Sequence, residues 1–226
     1  MVKYEGAMTW SRINDGEQCG LLFMLRHIEK RKEPSSPHFV KGTRVHTGVD
    51  DFLRKRKPAL PAEADPMREY LEKLKNNPTL RGEEAWGYDD EWQPLPVTGY
   101  FSKQDRLRAK VDALMWLSDK EIEIIDFKTG QVRDSGLDQP RFYAMLALLR
   151  FPKAMAAYFS LWFLEHNTIL PEKKDRAPLL RTGLDKTIKE FSGRIKAVIN
   201  KTGKAEPGVY CKWCPFAKSK GGPCQY

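Results

Sequence analysis

The sequence predicts an α/β fold, a mixed sheet with flanking helices, and two observations support this class. Amphipathic helical patterns fill residues 17–76, whereas short alternating apolar runs follow from residue 92 onward. The order strand, helix, strand that ends near residue 166 requires a crossover connection, which is typical of a sheet with a parallel pair. We therefore expect an N-terminal helical part over 17–76, a sheet core over 92–166, and a C-terminal helix with a tail over 181–226.

The N-terminal part should contain three helices. Residues 17–30 and 43–57 have amphipathic patterns, and the segment 35–42 between them is predicted to be a loop. Pro58 ends the second helix because proline cannot continue a helix. Residues 65–76 are predicted to form the third helix.

The sheet is expected to begin as an antiparallel meander over 92–127. Its runs are VTGYFSK, LRAKVDALMWL and EIEIIDF, with SDKE as the turn between the last two. Residues 135–150 then form a helix that carries Pro140 in its first turn, where proline is tolerated. A further strand at 154–166 and a helix at 181–200 precede the tail.

Composition and charge narrow the class of partner. No stretch approaches the roughly 18 apolar residues of a membrane span, and the N-terminus lacks the apolar core of a signal peptide. We therefore expect a cytoplasmic protein with reduced thiols and no membrane partner. The formal net charge of +9 favours a polyanionic partner, nucleic acid first.

Two acidic residues and a lysine are predicted to meet where two neighbouring strands end. Asp126 and Lys128 in IIDFKTG are two positions apart, so both side chains lie on one face. Asp112, flanked by apolar residues, is about as far from the SDKE turn as Asp126, so the two carboxylates should converge. Such a pair repels unless a cation lies between them, and oxygen ligands suit Mg²⁺ or Mn²⁺. The alternative is a strand end that Lys128 neutralises.

Two helices bring further polar candidates. Gln139 and Tyr143 are four positions apart and share one helix face just after the Asp-x-Lys strand. His46 lies on a helix with apolar positions on either side. Taken alone, each pattern also fits an ordinary amphipathic helix with a core tyrosine or a surface histidine.

The chain has four cysteines, Cys19, Cys211, Cys214 and Cys224. Three cysteines within fourteen residues of a protein with reduced thiols indicate a metal centre rather than disulfides. Four thiolates suit a [4Fe–4S] cluster or structural zinc. Either one would join the N-terminal helices to the C-terminal Cys-rich tail; four unrelated thiols are the alternative.

The chain carries its candidate residues in the order His46, Asp112, Asp126-x-Lys128 and Gln139-x₃-Tyr143. From about residue 10 to 224 this order resembles the PD-(D/E)XK nucleases of the RecB type. The cysteines are similar to those of the iron–sulfur members, the AddB nuclease domain and the CRISPR-adaptation exonucleases. Three departures occur: Ala109 replaces a common glycine, Gly-Leu-Leu follows Cys19, and the final Cys-x₉-Cys gap is long. The last two leave iron versus zinc open.

The resemblance implies a restriction-endonuclease-like core, one nuclease domain over 1–226, and a role for each motif residue. His46, Asp112, Asp126 and the backbone carbonyl of Phe127 would hold Mg²⁺ or Mn²⁺. Lys128 would act in catalysis beside Asp112 and Asp126. Gln139 and Tyr143 would steady the substrate strand or Lys128. Cys19, Cys211, Cys214 and Cys224 would hold a [4Fe–4S] cluster, with Zn²⁺ as the alternative.

The implied activity is that of a divalent-metal-dependent DNA nuclease, an exonuclease that hydrolyses phosphodiester bonds in single strands or at duplex ends. It would act in a prokaryotic or phage-infected cell beside recombination, repair or CRISPR-adaptation proteins. Either Glu83 or Glu84 could be a further acid in the family's pattern, or both could be solvated. The basic run 54–57 could follow a DNA backbone or be a solvated helix end. The alternatives are a non-catalytic nucleic-acid-binding module with structural zinc and a subunit with a degenerate nuclease fold.

Overall fold

The computed structural model describes residues 4, 6–33, 37–96, 102–132, 138–172 and 175–226. The chain divides into two compact units. The terminal unit combines Met1–Ser35 with Ile188–Tyr226, and the central unit is Ser36–Thr187. No helix in the described ranges has both the length and the apolar character needed to cross a bilayer.

The described residues form six α-helices and seven strands. The helices are α1 (Trp10–Gln18), α2 (Gly20–Phe23), α3 (Pro37–Leu53), α4 (Arg68–Lys75), α5 (Asp138–Arg150) and α6 (Leu184–Asn200). The strands are β1 (Glu84–Tyr88), β2 (Leu107–Val111), β3 (Ala113–Ser118), β4 (Glu121–Lys128), β5 (Ala156–Phe163), β6 (Thr168–Leu170) and β7 (Leu179–Leu180). A π-helical turn, Met24–Ile28, continues α2.

The predicted helix over 17–30 is wrong in its start and in its continuity. It begins earlier because the side chain of Thr9 accepts a hydrogen bond from the Arg12 N–H at 3.3 Å and caps α1. It then breaks at Cys19, whose backbone is extended. The N–H of Leu21 donates to the Lys204 carbonyl at 2.8 Å, a bond that replaces the one a continuous helix would make.

The loop predicted at 35–42 is also wrong where the structure describes it. Helix α3 begins at Pro37, because proline fits the first position of a helix, where its missing N–H is not needed. The same helix ends at Leu53, four residues before the predicted end at 57. A 3₁₀ turn, Ala62–Met67, forms the first part of the helix predicted at 65–76, and α4 forms the rest.

The meander predicted over 92–127 divides between two sheets. Strand β1, which the sequence did not reveal, pairs antiparallel with β2, and β3 pairs antiparallel with β4. The run LRAKVDALMWL is therefore two strands rather than one, with Asp112 at the bend between them. The turn at SDKE is confirmed, whereas most of VTGYFSK, residues 97–101, lies outside the described residues.

The larger sheet has the mixed topology that the strand–helix–strand order predicted. Strands β4 and β5 are parallel over eight residue pairs, and α5 makes the crossover between them. Residues 135–137 of the predicted helix lie outside the described residues, and Pro140 falls in the first turn of α5. The strand predicted at 154–166 ends at Phe163, and β6 and β7 add antiparallel to β5.

Helices cover both faces of this sheet. Ile125 and Phe127 point to one face, where they join a buried cluster with residues of α3 and α4. Tyr143 of α5 packs against Phe159 on the other face, with ring centroids 5.6 Å apart. The alternation along β4 therefore places Asp126 and Lys128 on the α5 side.

In the terminal unit, α1 packs closely against the second half of α6. The main chain at Gly16 lies so close to Val198 that an added Cβ would be 2.2 Å from a methyl carbon. Arg194 of α6 binds the Glu17 carboxylate at 2.6 Å. The tail is also held by packing, since Phe216 is buried against Leu22 and Leu25.

Candidate active site and cysteine cavity

The end of β4 holds an acid and a base in contact. The Lys128 ammonium nitrogen lies 2.6 Å from Asp126 Oδ2, as expected for two residues on one face of a strand. The Asp126 side chain is only 16% exposed. Its Oδ2 is buried, and the Lys128 ammonium is the positively charged group that lies against it. A buried carboxylate oxygen of this kind has capacity for a further positively charged partner.

Burial and the neighbouring charged side chains both change the pKa of Asp126. Burial is the largest influence and raises the pKa of Asp126 to about 6. The Lys128 ammonium lowers this pKa, whereas the Asp112 carboxylate raises it. Two carboxylates that disfavour each other's ionisation are typical of sites where a cation balances them.

Asp112 joins α3 to β4 through its two oxygens. Its Oδ2 accepts a 2.7 Å hydrogen bond from the Phe127 N–H, and its Oδ1 lies 3.3 Å from His46 Nδ1. Ala113 pairs with Ile125 in the ladder, so the next residues outward, Asp112 and Asp126, are neighbours at the end of the sheet. The structure thus brings the two acids together at the bend after β2.

The Phe127 peptide faces the same edge. The N–H and C=O of one strand residue point to the same side, so the Phe127 carbonyl is directed toward Asp112 as well. The phenylalanine ring points away into the core, where it is 2% exposed. This orientation is compatible with the predicted ligand role of the carbonyl, which stays a prediction.

His46 approaches from α3. Burial lowers the pKa of His46, but the hydrogen bond and the charge of Asp112 outweigh it and raise the pKa above its ordinary value. When Nδ1 carries the proton that Asp112 accepts, Nε2 is left as the free ring nitrogen. Helix α3 thus brings an imidazole ring against the Asp112 carboxylate.

Gln139 and Tyr143 lie on the α5 side of the site. Burial raises the pKa of Tyr143 far above its usual value, and the Asp126 and Asp112 carboxylates raise it further. A hydrogen bond with Gln139 acts in the opposite direction. Tyr143 is therefore a neutral hydroxyl near two acids, held by the glutamine one turn before it.

An open cleft of about 400 Å³ borders this site at His46 and Asp112, whereas Asp126, Lys128, Gln139 and Tyr143 are not among the described residues that line it. Its lining from α3 consists of His38, Phe39, Gly42, Thr43, His46 and Thr47. The remaining lining residues are Glu83, Lys110, Asp112 and Thr129.

The sequence did not decide between Glu83 and Glu84 as the further acid, and the cleft favours Glu83. Glu83 lines it and forms a 2.7 Å ion pair with Lys110. Glu84 instead binds Arg81 at 2.6 Å and accepts a 2.7 Å hydrogen bond from the Trp86 indole. Lys110 was not a predicted site residue. Lys110 lies beside Glu83 because β1 pairs with β2, and the sequence did not reveal this pairing.

Three of the four residues in the basic run 54–57 form ion pairs with two aspartates. Arg54 binds Asp50 at 2.7 Å, and Lys57 binds Asp51 at 2.7 Å. Arg56 contacts the same two aspartates at 3.3 and 3.5 Å. These ion pairs favour the solvated helix end over a path for a DNA backbone.

In the terminal unit, the four cysteines border one cavity of about 140 Å³. Burial raises the pKa of Cys214, as do the neighbouring thiols of Cys224, Cys19 and Cys211. The Glu206 N–H donates to Cys19 Sγ and the Gly208 N–H donates to Cys211 Sγ, both at 3.4 Å. The cysteines that are distant in sequence are thus close in space.

No group of three or more histidine, cysteine, aspartate or glutamate side chains within the described ranges is arranged as a ready-made site for a metal ion. At the cysteines, the sulfurs surround a space rather than meet at a point. A single zinc ion with Zn–S bonds of about 2.3 Å needs its sulfurs about 3.8 Å apart. A cavity of about 140 Å³ exceeds the roughly 30 Å³ of one water and has room for a multi-atom group.

Comparisons with known proteins identify a family. The PD-(D/E)XK nuclease superfamily matches residues 7–219. The solved structure of SSO0001 is 15% identical and covers 100% of this chain and 90% of its own, with a TM-score of 0.49. A "Putative exonuclease" from Eubacterium rectale is 13% identical and covers 90% of this chain and 84% of its own, also with a TM-score of 0.49. No curated protein matches the chain.

Proposed function

Because the chain belongs to the PD-(D/E)XK nuclease superfamily, we propose that it is a RecB-type, divalent-metal-dependent DNA exonuclease with a [4Fe–4S] cluster. The observation that carries this proposal is the convergence of Asp112, Asp126 and Lys128 at one end of β4, with His46 beside them. An acid pair with an adjacent lysine has little structural purpose in a half-buried strand end, where unpaired charge is costly.

The donors at this edge fit Mg²⁺ or Mn²⁺. Asp112, Asp126 and the Phe127 carbonyl offer hard oxygen ligands, His46 offers a nitrogen, and the buried Asp126 Oδ2 has spare accepting capacity. When bound, the metal would lower the pKa of a water ligand and stabilise negative charge on a phosphate. Glu83 is the acid placed to reach the substrate side of the cleft.

The chain's own residues have separate tasks in phosphodiester hydrolysis. Lys128, one third exposed, would orient the attacking water or bind a phosphate oxygen as charge develops there. Asp112 would hold His46 and the Phe127 main chain in position while also serving as a ligand. Gln139 and Tyr143 would supply neutral hydrogen-bonding groups near the carboxylates without adding charge.

The cysteine cavity fits a [4Fe–4S] cluster in three respects. It offers four thiols, it has volume between them, and two backbone N–H groups donate to sulfur atoms. Hydrogen bonds to cluster ligands are one of the means by which proteins set iron–sulfur potentials. Structural zinc is the competing occupant. DNA is the proposed partner, together with recombination, repair or CRISPR-adaptation proteins.

The decisive experiment is cleavage of labelled linear DNA, single-stranded and duplex, with Mg²⁺ or Mn²⁺ and with EDTA. We expect cleavage that EDTA stops. Lys128→Ala should abolish it while leaving DNA affinity nearly unchanged, because one lysine contributes little to non-specific phosphate binding. Lys120→Ala, an exposed lysine just before β4, is the matched control and should cut normally.

Two outcomes would count against the proposal. Absence of cleavage on every substrate with either metal would favour a non-catalytic nucleic-acid-binding module. A Lys128→Ala protein that cuts at the wild-type rate would reduce this lysine to a salt-bridge partner of Asp126. Iron and sulfide analysis of protein purified without oxygen decides the cluster separately, since a colourless protein with one zinc would keep the four-cysteine site and exclude the cluster.

A further inference from the structure

The first turns of α3 expose an aromatic side chain at the edge of the catalytic cleft. Phe39 is 75% exposed and lines the cleft, whereas its neighbour Val40 is 61% exposed and is not among the described residues that line it. A single exposed apolar side chain is common on protein surfaces, but this ring lines the same cleft as His46 and Asp112. Phe39 is therefore a candidate contact for substrate.

Phe39 is aligned with the site along one helix face. Thr43 follows it by four residues and His46 by seven, and all three line the cleft. At 1.5 Å rise per residue, Phe39 lies about 10 Å from His46 along the helix axis. This distance corresponds to about three nucleotides of a stacked strand at 3.4 Å each.

Contacts on both sides fix α3 relative to the end of β4. An added Cβ at Gly42 would lie 3.2 Å from Thr129 Oγ1, so the helix passes closely by the residue after the strand. Lys41 binds Glu165 at 2.8 Å, and His46 contacts Asp112. The distance from Phe39 to the carboxylates is therefore set by the fold rather than by a loose segment.

The cleft has the size and polarity for one strand. A volume of about 400 Å³ is in the range of sites for a single small molecule. Lys110 and His38 line it together with the polar groups of α3. Glu83 and Asp112 line the cleft as well, and Lys110 is paired with Glu83, so the aromatic ring is the group best suited to contact a base through stacking.

We propose that Phe39 is a stacking platform that holds a base about three nucleotides from the bond to be cut, so that the substrate in the cleft is a single strand. This inference rests on the proposed function for the position of the cut. The stacking itself can be tested without any cleavage.

The first measurement is fluorescence anisotropy of a labelled 20-nucleotide oligo-dT in EDTA. Phe39→Ala should weaken binding roughly 5- to 150-fold, the effect of removing one base-stacking contact. Phe39→Trp should bind as tightly as the wild type. Val40→Ala, at the neighbouring exposed position outside the cleft lining, should leave the affinity unchanged. Urea unfolding of all variants checks that these exposed positions leave stability intact.

The second measurement separates stacking from charge. A 20-residue abasic strand keeps the phosphates and lacks the bases, so the wild type should bind it more weakly than oligo-dT. Phe39→Ala should bind the two strands with nearly equal affinity. Wild-type affinity in Phe39→Ala, an equal loss for both strands, or no binding of oligo-dT by the wild type would each overturn the inference. A protein that passes these tests but cuts no DNA would retain the platform and refute the proposed hydrolysis.

Discussion

Gly20→Ala should strongly destabilise the terminal unit because the main chain at Gly20 crosses the main chain of the segment after α6. A Cβ at this position would lie 1.9 Å from the Lys201 carbonyl oxygen and 3.1 Å from the Lys204 carbonyl oxygen. Both are backbone atoms, which cannot rotate away as the end of a side chain could. The chain must therefore separate locally at the residue that follows Cys19.

The cost can be worked from this crossing. Overpacking a filled site costs about 3 kcal/mol at the upper end of its usual range. Separation would also stretch two backbone hydrogen bonds, from Leu21 N–H to the Lys204 carbonyl and from Gly203 N–H to the Gly20 carbonyl, at about 1 kcal/mol each. Alanine loses less conformational freedom than glycine on folding, which offsets less than about 1 kcal/mol of this cost. The free energy of unfolding should thus fall by about 4 kcal/mol.

Urea unfolding followed by circular dichroism measures this change. With a slope of about 2 kcal/mol per molar urea, the midpoint should fall by about 2 M. Gly193→Ala is the matched control: this glycine lies in α6, is exposed, and an added Cβ would meet nothing within 4 Å. It should raise the stability by up to about 1 kcal/mol. Equal midpoints for the two variants would refute the reasoning.

Three further predictions concern the cysteine cavity, a buried acid and the cleft. Cys19→Ser should lower both the metal content and the melting temperature of purified protein, because the residue borders the cavity with three cysteines from the tail; unchanged values would remove it from the site. Burial raises the pKa of Asp15, but hydrogen bonds from His27 and Arg26 outweigh it and hold the pKa below its usual value. The carboxylate therefore stabilises the fold above pH 4 or so and loses this effect as the pH falls through the lowered pKa. Asp15→Asn should accordingly lower the urea midpoint at pH 7, with a smaller difference at pH 3; a difference independent of pH would contradict this. Glu83→Gln should raise the Mg²⁺ concentration needed for half-maximal cleavage, and Glu84→Gln should not, because only the first side chain lines the cleft. An unchanged Mg²⁺ requirement in Glu83→Gln would contradict this prediction.

The end of β4 could be predicted from the sequence because local rules decide it. An apolar run ended by Thr-Gly is typical of a buried strand, and a period of two places Asp126 and Lys128 on one face. Their 2.6 Å contact agrees with that geometry. The order of the motifs likewise predicted the superfamily, which the family comparison confirms. Their individual roles in binding and catalysis stay predictions.

The features that the sequence did not reveal depend on distant partners. The run around Asp112 is apolar enough for one strand, and only its pairing with β1 on one side and β4 on the other divides it. Cys19 interrupts a helical pattern because main-chain groups near residue 204 take the hydrogen bonds of a continuous helix. Pro37 is compatible with both a loop and a helix start, so local pattern could not decide between them.

The double attachment of Asp112 has a practical consequence for capturing a complex with intact DNA. Replacing Asp112, a proposed metal ligand, is one way to make an inactive protein for this purpose. Here the Asp112 carboxylate also holds the Phe127 N–H and the His46 ring, at the point where the chain leaves one sheet for the other. Its replacement would change the shape of the very surface to be imaged. Lys128, the proposed catalytic lysine, is the last residue of its strand and one third exposed, so its replacement would leave both attachments of Asp112 in place.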